Sequence, residues 1–248
     1  MSEEMIIGKN PVIEALQSER KVYKVIISSQ LNERTEHELT RMAKRKNVQI
    51  EKASRSHLDS IAKGKHQGII GFVKPYEFVS IPHILNRAKQ KNELPFMMIL
   101  DELEDPHNLG AILRTAEATG VHGVIISKHR SVGLTSTVAK ASAGAIEHVP
   151  VARVTNITRA IMQLKKEHIW IIGTDGQAPK DYRVIDATLP IAIVIGNEGK
   201  GMTRLVKEQC DWLIHLPMQG QISSLNASVA GALLMYEVFR KRNPIGDN

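Results

Sequence analysis

The chain has 248 residues, which is enough for one large or two modest domains with ordinary hydrophobic cores. Its 42% hydrophobic and 24% charged residues are typical of a soluble globular protein, and no apolar run approaches the ~20 residues that span a bilayer. The first residues are acidic where a secretory signal is basic, which predicts a cytoplasmic protein. A single cysteine, Cys210, excludes an internal disulfide framework and a cysteine metal cluster, and predicts a small core or interface residue.

Positive charge is concentrated in one stretch of the N-terminal part. The net charge is +7, and residues 41–65 contain eight cations against two acids: Arg41, Lys44, Arg45, Lys46, Lys52, Arg55, Lys63 and Lys65 against Glu51 and Asp59. Such a run fits a solvated surface or a polyanionic partner, so both interpretations stay open. Four Phe, four Tyr and two Trp are few for a platform that stacks single-stranded bases, which favours phosphate contact and shape recognition.

The first part of the chain alternates helical and strand-like patterns, which predicts a small α/β module over residues 1–74. Helices are predicted at residues 10–17, 33–46 and 57–62, and strands at residues 22–27, 48–51 and 68–73. Residues 75–94 are rich in proline and polar residues and predict a linker, within which residues 81–89 fit one helix.

The second part, residues 95–248, repeats strand and helix more regularly. Strands are predicted at residues 96–100, 121–127, 149–154, 169–173, 191–195 and 212–216, with helices from residue 109, at 135–145, 157–167 and 203–209, and last in the chain. Several strands are uniformly apolar, as in a parallel sheet that is covered on both faces. The predicted fold is therefore a doubly wound α/β domain.

Three polar junctions follow apolar runs in this second part. They are residues 101–114, residues 193–202, and residues 216–237, where Gly220, Ser223, Ser224 and Asn226 precede the last helix. Ligands of parallel α/β sheets collect beyond the carboxyl ends of the strands, so the three junctions predict one composite site. Helix capping alone also explains Ser and Asn residues at the third junction.

Other phosphate, metal and hydrolase sites are not supported. The spacing from Gly196 to Gly201 resembles a phosphate-binding P-loop, but Met202 and Thr203 stand where Lys and Ser or Thr are needed. No G-x-G-x-x-G dinucleotide motif follows a predicted strand, and no G-x-S-x-G elbow is present. The ten histidines lack metal-ligand spacing, so no metal is predicted.

Together the three junctions resemble the SpoU/TrmH branch of the SPOUT RNA 2′-O-methyltransferases, within it most closely the RlmB type, the 23S rRNA guanosine-2′-O-methyltransferases. The resemblance lies in NLGAILRTAEATG at residues 108–120, IVIGNEGKGM at 193–202 and LPMQGQISSLNASVA at 216–230, in the family's order and spacing. The basic N-terminal module resembles the small ribosomal-protein-like RNA-binding domain of these enzymes.

The resemblance implies a C-terminal domain with a deep trefoil knot, which general folding rules count as nearly absent. It also implies S-adenosylmethionine (AdoMet) bound in a bent form, chiefly by backbone groups. Carried over by position, the cofactor contacts are Thr174, Gly196, Leu216, Met218, Leu225 and Asn226. Leu216 and Leu225 would supply apolar walls, a role that ordinary core packing also explains.

The implied reaction transfers a methyl group to a ribose 2′ oxygen, and the resemblance assigns its activation to Arg114. Because arginine is permanently charged in proteins, two roles stay open: a strongly perturbed base, or an electrostatic clamp on a phosphate and the forming alkoxide. Glu198 would orient Arg114 or accept the proton, or would simply favour a helix dipole. Asn108 is expected to fix the RNA-facing loop, and Ser224 and Asn226 to bridge cofactor and substrate.

The expected partners are 23S rRNA and a second copy of the chain, because the knotted domains of this family pair. A tRNA ribose methyltransferase is the alternative within the class. A non-catalytic RNA-binding or ribosome-assembly protein is the alternative outside it, which the intact Arg114, Glu198, Ser224 and Asn226 disfavour.

Overall fold

The computed structural model describes residues 3–18, 20–221 and 224–245; Ser223 of the third junction lies outside them. The chain divides into two compact units, Met1–Tyr76 and Glu77–Asn248. The predicted linker is therefore much shorter than residues 75–94. Most of that segment belongs to the second unit, because Ile81 and Ile84 are buried in its core and Val79 bridges to Ala152.

The described residues of the first unit form a four-stranded mixed sheet with three helices. The strands are β1 (Glu4–Ile7), β2 (Val22–Ser28), β3 (Gln49–Ala53) and β4 (Ile69–Val73); the helices are α1 (Lys9–Gln17), α2 (Glu33–Arg45) and α3 (Arg55–Ile61). The order across the sheet is β1-β4-β2-β3, with β2 and β3 parallel and the other pairs antiparallel. The short β1 was not predicted.

Helices cover both faces of this first sheet. Side chains alternate along β2, so Ile27 packs with Val12 of α1 and Leu39 of α2, whereas its neighbour Ile26 packs with Leu58 of α3. The α/β character expected for this part of the chain is thus confirmed, with α1 and α2 on one face and α3 on the other.

The second unit is a seven-stranded sheet in which every neighbouring pair is parallel. Its strands are β5 (Phe96–Leu100), β6 (Gly123–Ser127), β7 (Val151–Val154), β8 (Trp170–Thr174), β9 (Lys180–Asp181), β10 (Ile191–Ile195) and β11 (Trp212–His215). Its helices are α4 (Ile81–Gln90), α5 (Pro106–Ala118), α6 (Ser136–Ala141), α7 (Ile157–Lys166), α8 (Arg204–Glu208) and α9 (Ala227–Arg242). The order across the sheet is β7-β6-β5-β10-β8-β11-β9.

Every residue of β5, β6 and β10 is buried, which confirms the prediction of a parallel sheet covered on both faces. Helices α4, α7 and α8 share one core with the strands, and α9 packs on α5 and β10 through Gly231. Among the described residues, no helix combines the length and apolar character that crossing a membrane requires.

Two predicted helix boundaries differ from the structure by three or more residues. Helix α5 begins at Pro106 rather than residue 109, because the Asp105 side chain accepts a hydrogen bond from the His107 N–H and proline fits the first helical position. The predicted helix at 135–145 ends at Ala141, since Ala143 and Gly144 adopt positive φ angles of 49° and 93°.

Candidate active site

The carboxyl ends of β10, β8 and β11 meet at one edge of the second sheet, because these parallel strands are neighbours. There they form an open cleft together with the start of α9. Its lining includes seven of the predicted site residues: Thr174, Gly196, Glu198, Leu216, Met218, Ser224 and Leu225. The structure therefore brings most of the second and third junctions into one site.

One carboxylate joins all three junctions at this cleft. Oε1 of Glu198 accepts hydrogen bonds from Nδ2 of Asn108 (2.8 Å), Nδ2 of Asn226 (2.6 Å) and the backbone N–H of Ala227 (3.0 Å). Oδ1 of Asn108 accepts a further bond from Nδ2 of Asn226 at 3.0 Å. Asn108 is 4% exposed, so its amide is held in place by these partners rather than by solvent.

Asn226 also caps the last helix. Its Oδ1 accepts hydrogen bonds from the N–H groups of Ser228 (3.0 Å) and Val229 (3.3 Å), while its Nδ2 binds Glu198 and Asn108. The capping interpretation and the site interpretation of this residue therefore hold together. Ser224 lines the cleft and is exposed, and within the described part of the chain its side chain forms no hydrogen bond.

Gly196 is a glycine because the loop after β10 folds back over it. A Cβ at this position would lie 2.3 Å from the carbonyl carbon of Gly201 and from the nitrogen of Met202. The fold of the loop is fixed by two backbone hydrogen bonds between Asn197 and Gly201, of 3.0 and 2.7 Å. Asp101 fixes the end of this loop, because its buried carboxylate accepts hydrogen bonds from the N–H (2.7 Å) and the hydroxyl (2.8 Å) of Thr203.

The glycine of the first junction has a packing role. A Cβ on Gly110 would lie 2.3 Å from the Cβ of Ala141 and 3.0 Å from backbone atoms of α6. Helices α5 and α6 can approach this closely only without a side chain at that position. Gly110 thus sets the position of α5, and with it that of Asn108.

The cleft combines apolar walls with two carboxylates. Leu216 and Leu225 contribute apolar surface, as the sequence predicts, and Asp175 and Glu198 contribute acidic groups. The pKa of Asp175 is lowered because its side chain accepts hydrogen bonds from Lys207 and from the Gln177 N–H. The described lining contains no lysine or arginine, so the cleft suits a cationic or neutral ligand better than a phosphate.

Sequence reasoning missed Asp175 and His215, which both line the cleft. Each stands at or just beyond the end of a strand, β8 and β11, and that position is the signal that would have found them. Nδ1 of His215 is buried and finds no hydrogen-bond partner among the described residues. The hydroxyl of Thr174 is already used within the fold, because its Oγ1 donates a hydrogen bond to the Val194 carbonyl at 2.9 Å.

Arg114 is the predicted residue that the structure of a single chain does not bring to the cleft. It lies on the exposed side of α5 and is absent from the described lining. Within the described residues it forms no ion pair or hydrogen bond, so the expected pairing of Glu198 with Arg114 does not occur inside one chain. Glu198 instead directs its bonds to the two asparagines and to the start of α9.

Cys210 is partly buried and packs against the core beside α8, where its Sγ donates to the Val206 carbonyl at 3.4 Å. Burial raises the pKa of this thiol to about 12. The thiol is neutral at physiological pH, as expected for a packing residue rather than a nucleophile.

Comparison with known proteins places this site in a family. Residues 95–236 match the model of the SpoU rRNA methylase family, which covers more than half of the chain and all of the three junctions except Glu237. The chain belongs to the SpoU rRNA methylase family. Residues 5–79 match a second model, described as RNA 2′-O ribose methyltransferase substrate binding, so the first unit is the substrate-binding domain that accompanies the SpoU domain.

Relatives of this SpoU chain are similar over their full length. YacO of Bacillus subtilis, named as a TrmH family tRNA/rRNA methyltransferase, is 54% identical over 242 residues, which cover 98% of this chain and 97% of YacO. A protein of Staphylococcus aureus strain MSSA476 with the same family name is 48% identical over 247 residues, covering 100% of both chains.

Solved structures share the fold. The SpoU methyltransferase AviRb of Streptomyces viridochromogenes, crystallised with AdoMet, has a TM-score of 0.72 at 24% identity, covering 97% of this chain and 90% of AviRb. A structure described as an RNA 2′-O ribose methyltransferase has a TM-score of 0.65 at 25% identity, covering 97% of this chain and 89% of the other. SpoU enzymes are RNA methyltransferases that use AdoMet, which confirms the cofactor predicted from the three junctions.

Proposed function

We propose that the chain methylates the ribose 2′-hydroxyl of a guanosine in 23S rRNA in the cytoplasm, as an enzyme of the RlmB type. The observation that carries this proposal is the set of hydrogen bonds that Oε1 of Glu198 accepts from Asn108, Asn226 and Ala227, which we call the Glu198 hub. The hub joins residues of all three SpoU motifs beside one cleft. The substrate-binding model matched by residues 5–79 supports an RNA ribose as the acceptor. The basic first unit favours a large folded RNA, which makes 23S rRNA the preferred substrate over tRNA.

The cleft fits the methyl donor. Leu216, Met218 and Leu225 offer apolar surface for an adenosine, while the closely folded loop at Gly196 exposes backbone groups to it. Thr174 would contact the cofactor through its backbone, because its hydroxyl is bound to Val194, and Asn226 would contact it from the start of α9. The carboxylates of the cleft complement the positive charge of a sulfonium compound. When bound, AdoMet supplies an electrophilic methyl group.

The chain's own residues would orient the acceptor and stabilise its charge. A carbon–oxygen bond forms at the ribose 2′ oxygen as the carbon–sulfur bond breaks, and the hydroxyl proton leaves to water or to a neighbouring phosphate. Arg114 would hold that phosphate and the developing alkoxide through its planar guanidinium. Ser224 lies exposed in the cleft lining, where its hydroxyl would bridge cofactor and ribose.

Helix α9 supports a homodimer. Val229, Leu233 and Tyr236 follow one face of the helix and are 47%, 43% and 52% exposed, while its opposite face is buried against α5 and β10. A helix that is apolar on both sides is normally covered on both sides, and a second copy of the chain would cover this face. In the dimer, Arg114 of one copy would enter the cleft of the other copy, whereas it does not reach the cleft of its own chain.

The strand order is compatible with the trefoil knot that the family resemblance implies. After β9, at one edge of the sheet, the chain returns to insert β10 between β5 and β8. It then inserts β11 between β8 and β9, so two late strands lie inside a sheet built by earlier ones. Such insertion is what threading of the chain near the third motif would produce.

The test is methyl transfer in vitro. Purified protein, AdoMet and unmodified 23S rRNA transcript should yield 2′-O-methylguanosine on nucleoside mass spectrometry, and a matched tRNA pool should not. Modification of tRNA alone, or of a base, would contradict the proposed substrate. Arg114→Lys keeps the charge and loses the planar fork, so we expect at least tenfold slower turnover. Wild-type turnover in that variant would exclude both roles considered for Arg114.

A further inference from the structure

The basic run at residues 41–65 is divided by the fold into two separate surfaces. Strands β1, β2 and β3 end at the same edge of the first sheet at which β4 begins, since β4 is antiparallel to β1 and β2. We call this edge, with the segments 8–10, 29–32, 54–57 and 63–68, the loop edge. Arg55, Lys63 and Lys65 lie in it. Arg41, Lys44 and Arg45 lie in the second half of α2, which runs away from it.

Backbone hydrogen bonds hold segments of the loop edge against the ends of neighbouring strands. The Gly8 N–H donates to the Ile69 carbonyl at 2.9 Å, and the Ser28 N–H donates to the Gly68 carbonyl at 2.8 Å. The Ser29 N–H donates to the Ala53 carbonyl at 2.9 Å. With four strands about 4.8 Å apart, the loop edge is about 14 Å wide. The 13-residue helix α2 places its basic end about 20 Å from it.

The cations of the run are not equally available to a partner. Nζ of Lys46 donates to the carbonyls of Ala15, Ser18 and Arg20, so this lysine fixes the end of α1. Lys52 pairs with Glu36 at 2.6 Å. The other six cations are exposed and form no ion pair within the described residues: Arg41, Lys44, Arg45, Arg55, Lys63 and Lys65.

The cations of α2 and those of the loop edge differ in whether helix stability explains their positions. Lys44 and Arg45 occupy the last turn of α2, where positive charge stabilises the helix dipole. Arg55 occupies the first position of α3, where a cation opposes the dipole, and Lys63 and Lys65 lie in an irregular loop. Helix stability therefore accounts for Lys44 and Arg45, and it does not account for the three cations of the loop edge.

The surroundings of the loop-edge cations suit a nucleic acid. Ser56, His57 and Gln67 are exposed in the same segments and offer polar groups for phosphate, ribose and base edges. Asp59 of α3 already binds the buried His66 at 2.7 Å. Loops on a rigid sheet are also the usual place for recognition residues.

We infer that the loop edge is the RNA-binding surface of the first unit, with Arg55, Lys63 and Lys65 contacting phosphates, and that the basic end of α2 is not. The inference rests on the proposed function, because it names the surface that holds the RNA substrate. It predicts that three of the six free cations control RNA affinity and that the other three do not.

Two triple variants of the full chain test this inference with equal loss of charge. One is Arg55→Ala, Lys63→Ala and Lys65→Ala; the matched control is Arg41→Ala, Lys44→Ala and Arg45→Ala. Filter binding to the 23S rRNA transcript, over a salt series with tRNA competitor, gives affinity and salt dependence. Three lost phosphate contacts predict about 100-fold weaker binding near 0.1 M salt and a salt slope lower by about 2. The control variant should stay within threefold of wild type.

Thermal melting shows whether each variant is folded, and AdoMet affinity shows that the second unit is unaffected; both should match wild type. If the loop-edge triple variant melts early, the double variant Lys63→Gln and Lys65→Gln replaces it, with about 20-fold weaker binding expected. Equal losses in both triple variants, or a loss confined to the α2 variant, would overturn the inference while the wild type still methylates the transcript. Failure of the wild type to bind or methylate RNA would overturn the proposed function, and the inference with it.

Discussion

Replacing Glu198 by alanine removes the acceptor shared by the three SpoU motifs. Three donors lose their partner: Nδ2 of Asn108, Nδ2 of Asn226 and the Ala227 N–H. Asn226 is exposed, so water can replace much of what its amide loses, whereas Ala227 is buried. Asn108 is 4% exposed, and its unpaired donor carries a cost of about 1–3 kcal/mol.

We therefore expect Glu198→Ala to lower the free energy of unfolding of the second unit by roughly 2 kcal/mol. For a unit of this size that corresponds to a fall of about 4–8 °C in Tm. Glu198→Gln keeps an oxygen acceptor and should lose about half as much, because the bonds are no longer charge-assisted. AdoMet affinity should fall in both variants, since the hub positions the loop at Gly196 against the start of α9.

Denaturant unfolding followed by tryptophan fluorescence measures this effect. Both tryptophans, Trp170 and Trp212, belong to the second unit, so the signal reports on that unit alone. Glu208→Ala is the matched control, because it removes an exposed glutamate whose partner is Arg204 on the same short helix. If Glu198→Ala unfolds at the wild-type denaturant concentration and binds AdoMet as wild type does, the hub does not hold the motifs together.

Three further predictions follow from particular contacts. Gly196→Ala should weaken AdoMet binding at least tenfold in calorimetry, because its Cβ would meet the backbone of Gly201 at 2.3 Å; in the control Gly133→Ala, a Cβ would lie 4.0 Å from Cζ of Phe78, so this variant should bind AdoMet normally, and equal affinity of the two variants would contradict the role of the loop. Arg242→Ala should destabilise the second unit by about 2–4 kcal/mol in the same unfolding assay, because its guanidinium donates to the carbonyls of Leu94, Ala187 and Leu189 at 2.7–3.0 Å; an unchanged midpoint would refute this. Burial raises the pKa of Cys210 to about 12, so at pH 8.5 the thiol is protonated in the folded state and largely unreactive toward a disulfide reagent; rapid labelling without denaturant would show that it is accessible.

Much of the fold could be predicted from the hydrophobic pattern. The apolar strands of the second unit were found because burial on both faces leaves an uninterrupted signal, as in β5 and β10. The signal failed where local chemistry decides the boundary. Asp105 and Pro106 start α5 three residues early, and the positive φ angle of Gly144 belongs to the break after α6.

The candidate site was predictable in part for a similar reason. Glycines and polar residues at strand ends are typical of ligand-binding loops, so Gly196, Asn108 and Asn226 were predicted. The sequence does not show that Glu198 connects Asn108 with Asn226. That connection depends on strand order, which brings residues 108, 198 and 226 together across the sheet. Asp175 and His215 were missed because a single acid or histidine after a strand is a weak signal without knowledge of its neighbours.

The division of the basic run shows the same limit. In the sequence, residues 41–65 form one cluster of charge, and composition cannot separate helix-stabilising cations from those open to a partner. The fold places Arg45 at the end of α2 and Lys63 in the loop edge, and it uses Lys46 to fix α1. Charge patterns thus predict the class of partner better than they predict the surface that binds it.

A map of ribose 2′-O-methylation across total RNA tests the central claim most directly. Strains that lack the gene, carry it, or carry Arg114→Ala would be compared at every guanosine of rRNA and tRNA. The proposed function predicts that one guanosine of 23S rRNA loses its 2′-O-methyl group in the deletion and in Arg114→Ala, and regains it with the wild-type gene. An unchanged 23S rRNA with a lost tRNA mark would contradict it.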